Sequence, residues 1–170
     1  MSYYIIIRGP LGSGKSTISE KLAKKINGKH LAIDRILDDN NLLEDKEDGY
    51  ISQKSFRQAN EIACQDAKSI IQQGTPVVFD GNFYWQSQID DLIKWLDFPH
   101  YVFTLKAPLE VCIDRDNKRN KTHGEIAAKV VHKKSTEFDY GILIDVTRPL
   151  SECLDEITSY LPKPWFLFGI

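Results

Sequence analysis

The sequence is poor in several things, and each shortage excludes something. It has three cysteines, Cys64, Cys112 and Cys153, far apart and without metal-type spacing. They read as small buried apolar residues rather than a disulfide framework or a zinc site. The four histidines, His30, His100, His123 and His132, show no paired ligand spacing either, and none reads as a metal ligand. No apolar run approaches the roughly 18 residues that a membrane span needs. The N-terminal run Tyr3-Tyr4-Ile5-Ile6-Ile7 is too short for a signal peptide and lacks a preceding charged region. Charge of one sign is not in excess: 22 basic against 24 acidic residues give a net charge of -2, which disfavours holding long nucleic acid by charge. There are no internal repeats and no low-complexity stretch. A cytoplasmic chain without disulfides is expected, with no membrane partner.

What is present is ordinary in composition and specific in pattern. Apolar residues make up 42% of the 170 residues and charged ones 27%, suited to one domain spanning 1–170. Short apolar runs alternate with helical patterns. Strands are expected at Tyr3 to Arg8, Lys29 to Ile33, Pro76 to Phe79, His100 to Leu105 and Gly141 to Val146. Helices are expected from Lys15 to Ile26, from Ser52 to Gly74, from Trp85 to Leu96, after Pro108, from Glu125 and from Leu150 to Leu161. The helix from Glu125 should bury Ile126, Val130 and Val131. Asp38 to Tyr50 reads as a mobile, acidic connection. Strands joined by helices imply an α/β fold, a parallel sheet covered on both faces.

Gly9-Pro10-Leu11-Gly12-Ser13-Gly14-Lys15-Ser16 fits G-x-x-x-x-G-K-[ST] in full and lies between an expected strand and an expected helix. Glycines let backbone N–H groups turn inward, and the helix start adds partial positive charge. Lys15 can place a cation on the β- and γ-phosphates, and the Ser16 hydroxyl is a hard oxygen suited to Mg²⁺. Gly9, Gly12, Ser13, Gly14, Lys15, Ser16 and Thr17 are therefore the expected ATP-binding set. Asn117-Lys118-Arg119-Asn120 lacks the aspartate that guanine specificity requires.

Further polar groups fall at strand ends. Asp34 follows the second strand and can accept the proton of an attacking hydroxyl, or it can simply cap a helix. Arg35 beside it is a candidate for an anionic acceptor group. Asp80, with Asn82 close behind, can serve a magnesium ion or the acceptor. Arg115, Lys118, Arg119 and Lys121 form a basic cluster from which Arg115 or Arg119 can neutralise charge on the leaving phosphates. The 145–149 loop is either an adenine contact or an ordinary helix entry. Trp85 is either core or an acceptor-site wall.

This order of features resembles the small phosphate-loop kinases grouped with polynucleotide kinase, zeta toxin and chloramphenicol phosphotransferase, built on an AAA-type ATP-binding domain. The matching segments are Gly9 to Thr17, Ile33-Asp34-Arg35, Phe79-Asp80-Gly81-Asn82 and Arg115 to Arg119. The resemblance implies a three-layer α/β/α phosphate-loop fold with a five-stranded parallel sheet in the order 2-3-1-4-5. It implies ATP and Mg²⁺ on Lys15 and Ser16, Asp34 as general base, and a lid around 115–124. The acceptor region, around 34–60, matches no substrate signature. The expected activity is transfer of the γ-phosphate to a hydroxyl of a small-molecule acceptor. A 5′-hydroxyl polynucleotide kinase and a nucleoside monophosphate kinase are the alternatives, and a non-catalytic nucleotide-binding module is the alternative of another class.

Overall fold

A computed structural model describes residues 2–118 and 123–162. Its centre is strand β1 (Tyr4–Arg8), buried along its whole length. Tyr4 to Ile7 are apolar because β1 lies between two parallel neighbours, with both faces covered. Alternate side chains serve opposite faces: Tyr4 and Ile6 join one core, Ile5 and Ile7 the other.

Three elements follow β1 without a break in logic. Helix α1 (Lys15–Lys25) starts at the phosphate loop, strand β2 (Lys29–Ala32) returns along the sheet, and helix α2 (Ile33–Asp39) begins at once. The sequence reading gave Ile33 to the strand. The structure gives it to the helix, which places Asp34 in a helical first turn.

The segment expected to be a mobile connection contains a hairpin, β3 (Lys46–Glu47) and β4 (Tyr50–Ile51). Its turn is Asp48-Gly49, both at positive φ, the Asp-Gly chemistry of a tight two-residue hairpin. Helix α3 (Gln53–Gln72) follows, its Ser52 N-cap accepting from the Ser55 amide at 3.0 Å. Its stripe of Phe56, Ala59, Ala63, Ala67 and Ile71 is buried as the periodicity requires.

The second half adds β5 (Val77–Gly81), α4 (Gln86–Leu96), β6 (His100–Lys106), α5 (Leu109–Asn117), α6 (Glu125–Ser135), β7 (Ile142–Asp145) and α7 (Leu150–Ser159). The main sheet runs β2-β5-β1-β6-β7, all neighbours parallel. Counting only its own strands, this is the order 2-3-1-4-5. One expectation fails on α6: Ile126 is 81% exposed and Val130 43%, while Ala128 is buried and Val131 half-buried. The apolar stripe is too short to fix the helix's rotation, and its inward face is set by Ala128 and Ser135.

The carboxyl ends of β1, β2 and β5 open toward the same edge, since all three run parallel. That edge carries the phosphate loop, Asp34 and Asp80.

Candidate active site

The loop between β1 and α1 is wound tightly on Pro10. The Ser13 amide and hydroxyl both donate to the Pro10 carbonyl, at 3.2 and 2.7 Å, and Lys15 Nζ donates to it at 2.9 Å. Gly12 sits at φ +77, where a Cβ would stand 2.1 Å from the Cys112 carbonyl oxygen. A side chain is excluded there by the backbone of α5. Gly14 precedes the first turn of α1 at φ +87. The loop thus sets amide groups at a helix N-terminus, the arrangement that attracts phosphate.

Ser16 stands in the first turn of α1, and its hydroxyl donates to Asp80 Oδ2 at 3.0 Å. With its proton committed to a carboxylate, the serine oxygen keeps its lone pairs for a hard cation. Among the described residues no cluster of three or more His, Cys, Asp or Glu could hold a metal ion. Magnesium needs no such cage, since it is commonly held by one or two protein oxygens together with substrate phosphates. Ser16 and Asp80 fit that mode. Asp80 itself is buried, and its other oxygen meets His30 Nε2 at 2.6 Å.

Asp34 lies on the next element. The residue is half-buried, but its Oδ1 is fully covered and has no hydrogen-bond partner among the described residues. Burial pushes its carboxyl above the ordinary aspartate range. The Lys15 cation, the Asn82 amide and His123 pull it back, while Asp80 adds to the rise. Asn82 is also buried, and its Oδ1 is likewise covered and unpartnered among the described residues. Two covered oxygens that lack donors among the described residues therefore lie at the carboxyl ends of β2 and β5.

Beside them the β3–β4 hairpin is pinned. The Ile51 amide donates to the Tyr84 hydroxyl at 3.0 Å, and Trp85 Nε1 donates to the Ile51 carbonyl at 2.9 Å. Lys134 of α6 stands 4.2 Å above the Trp85 ring. Trp85 is half-buried against the core, as one of the two expectations has it, and also links the hairpin to α6.

The other expected residues divide. Thr17, Gly12, Gly14 and Arg115 line a cavity of about 230 Å³ together with Val146 and Arg148. Arg115 donates to the Val146 carbonyl at 2.7 Å, so the 145–149 loop forms a wall of this cavity. Arg119 lies outside the described residues. Arg35 is not brought to the cleft: its side chain is 81% exposed and faces Asp39, 3.5 Å away and four residues along α2. A helical start at Ile33 turns Arg35 outward as it holds Asp34 inward.

Three groups were missed by sequence reasoning. His30 is one. Arg8 is another: it is fully buried and donates to the carbonyls of Phe83, Phe138 and Ser135 and to Thr104 Oγ1. Burial lowers its pKa to about 10. The third is Asp116, which is buried and accepts from the His123 and Gly124 amides at 2.9 and 3.1 Å, joining the end of α5 to the start of α6. His123 and those bonds hold its carboxyl below the usual range against burial. Only charge density marked Asp116 in the sequence, and nothing marked the other two.

Residues 5–138 match the family described as AAA domain. The chain belongs to that family. Its fold is that of phosphate-loop kinases. A solved sugar kinase from Janibacter sp. HTCC2649 is similar with a TM-score of 0.77, 16% identity and 94% of each chain covered. A gluconokinase from Sinorhizobium meliloti 1021 is similar with a TM-score of 0.72, 17% identity, 92% of this chain and 89% of that one. A UMP-CMP kinase 2 from Caenorhabditis elegans is 26% identical over an alignment of 129 residues that covers 68% of this chain. The chain spans 65% of that relative's length. Among the described residues no helix is long and apolar enough to cross a membrane.

Proposed function

We propose that this AAA-domain kinase transfers the γ-phosphate of ATP to a hydroxyl group of a small molecule, with Asp34 as general base. The reading rests on the place of Asp34: a half-buried carboxylate in the first turn after β2, at the sheet edge that carries the phosphate loop, within electrostatic reach of Lys15 and Asp80. A substrate hydroxyl held beside that carboxylate would supply the proton. Its proton passes to Asp34 as its oxygen bonds to the γ-phosphorus, the bond to the β–γ bridging oxygen breaks, and ADP leaves. The raised carboxyl keeps the base strong enough to take the proton.

Lys15 and the loop amides would hold the phosphates, and Thr17 and Arg115, which line the cavity beside the loop, would flank the nucleotide. The 145–149 loop offers its backbone as a wall for the base. Bound Mg²⁺ would neutralise the phosphates, with Ser16 as its protein ligand and Asp80 behind it.

Among acceptors, an uncharged hydroxyl compound is favoured over a nucleoside monophosphate. Recognition of a second phosphate calls for arginines, and both candidates are engaged elsewhere: Arg35 with Asp39, and Arg57 with Asp91 at 3.2 Å. The same two pairings disfavour a channel for a 5′-hydroxyl nucleic-acid end. The solved neighbours titled gluconokinase and sugar kinase agree with a hydroxyl-rich acceptor, and the relative titled UMP-CMP kinase 2 speaks for the other reading.

The test is Mg²⁺-dependent transfer from γ-labelled ATP to sugars and polyols, nucleosides, nucleoside monophosphates, antibiotic hydroxyls and 5′-hydroxyl oligonucleotides, with Lys15→Ala as control. Label on a sugar, polyol, nucleoside or antibiotic, lost in the control, supports the proposal. Label on a monophosphate or an oligonucleotide alone overturns the acceptor assignment. Tight ATP binding with no transfer to any acceptor favours the non-catalytic module.

A further inference from the structure

Asp80 has two oxygens and two partners. Oδ2 receives the Ser16 hydroxyl at 3.0 Å, and Oδ1 meets His30 Nε2 at 2.6 Å. An ionised carboxylate only accepts, so Nε2 is the donor, and the tautomer is the one that carries its proton there. The Asp80 backbone is fixed in the ladder, with Ile7 on one side and Ala32 on the other. What the ladder leaves free is rotation about the two side-chain bonds of Asp80. His30 removes that freedom. Its ring is held in β2 two residues before Ala32, and it is mostly covered.

We infer that His30 is a positioning residue for the metal site: it fixes Asp80 so that Oδ2 takes the Ser16 proton and leaves the serine lone pairs for the cation. This inference rests on the nucleotide and Mg²⁺ reading above. His30 touches neither nucleotide nor cation and acts through Asp80 alone. This explains a histidine without ligand spacing at a metal-binding edge. Asp80 is the outer partner that orients the ligand Ser16, and His30 holds that partner in place; loss of such orientation typically weakens metal affinity about 10- to 100-fold.

The test measures binding, not turnover. A non-hydrolysable ATP analogue is titrated into the protein with divalent ions removed, and again with saturating Mg²⁺. The ratio of the two affinities is the metal's contribution. In His30→Leu that ratio should fall about 10- to 100-fold, while metal-free affinity changes by less than about twofold. His30→Gln and His30→Asn form a second pair of similar polarity. Glutamine can place its amide donor where Nε2 stood, and asparagine is one carbon too short. Gln should keep most of the ratio and Asn should lose it, with unfolding temperatures in the absence of metal checked for all three. Equal ratios in wild type and His30→Leu, or in Gln and Asn, would overturn the inference and leave the kinase reading standing. A wild type whose affinity ignores Mg²⁺ would overturn the metal reading and the inference together.

Discussion

Replacing Asp34 by asparagine should lower activity and raise stability at once. The carboxyl is pushed up by burial, so the folded state holds its proton more tightly than the unfolded chain does. The stability this group contributes is full below the unfolded value, about 3.9, and is lost as pH rises through the raised folded value. Above the raised folded value the wild type therefore carries a buried charge, with one oxygen unpartnered among the described residues. Asparagine carries no charge. The amide keeps a polar atom at the covered position, so the relief is only the extra cost of desolvating a charge, on the order of 1 kcal/mol, which raises the unfolding temperature by about 2–4 °C in a chain of this size. The lost attraction to Lys15 offsets part of the gain. Transfer should fall by at least about 100-fold, the lower end of general-base catalysis. Thermal unfolding at neutral and at acid pH, beside transfer assays on the same preparations, checks both halves. The gain in unfolding temperature should shrink in acid, where the wild-type carboxyl is already protonated. A destabilised variant at neutral pH would refute the account of the raised pKa. An unchanged transfer rate would remove Asp34 from the mechanism.

Two further substitutions test the scaffold. Arg8→Met takes donors from three carbonyl oxygens and from Thr104, and removes a guanidinium 4.3 Å above the Phe138 ring. Denaturant unfolding should report a loss of about 3 kcal/mol or more, at about 1 kcal/mol or more for each buried acceptor left without a donor; a loss under about 1 kcal/mol refutes it. Gly12→Ala and Gly14→Ala should differ sharply. Both place a side chain at positive φ, at about 1–2 kcal/mol, but only Gly12 meets backbone, 2.1 Å from the Cys112 oxygen, while nothing lies within 4 Å of a Cβ at Gly14. Gly12→Ala should therefore lose nucleotide affinity and stability well beyond Gly14→Ala in paired calorimetric titrations and melts; equal losses count against the contact with α5.

The fold was legible because its signals are local. The β1 run, the glycine-rich loop and the α3 stripe each announce themselves within twenty residues or fewer. The hairpin was legible too, in Asp48-Gly49, and was passed over for the acidity around it. The candidate site was legible only where one residue carries its own chemistry, as Lys15 and Ser16 do. Asp34 and Asp80 could be placed at strand ends, but His30 reaches Asp80 only through a strand pairing fifty residues apart in sequence. Arg8 is hidden for the same reason: its acceptors lie 75 to 130 residues away. Arg35 was misplaced because Ile33 opens a helix instead of ending a strand, and helical spacing sets Arg35 beside Asp39 on the exposed face. Ile126 and Val130 were misplaced because a short helix with few apolar residues leaves its rotation to tertiary contacts.

Helix α6 is moored unevenly. At its far end Ser135 takes the bond from Arg8, Lys134 lies on Trp85, and His132 meets the Ala107 carbonyl at 3.0 Å. At its near end the helix is held by the bonds to Asp116 and by buried Ala128, while Ile126, and Val130 at its middle, face solvent. A rod held this way, were it to move, would pivot and not slide. Its 11 residues make a lever about 16 Å long, so a tilt of about 10° about the Ser135 end carries Glu125 about 3 Å. Because Arg8 also ends the strand from which the phosphate loop departs, the pivot is anchored one residue from the loop, and the swing is largest at the end joined to α5.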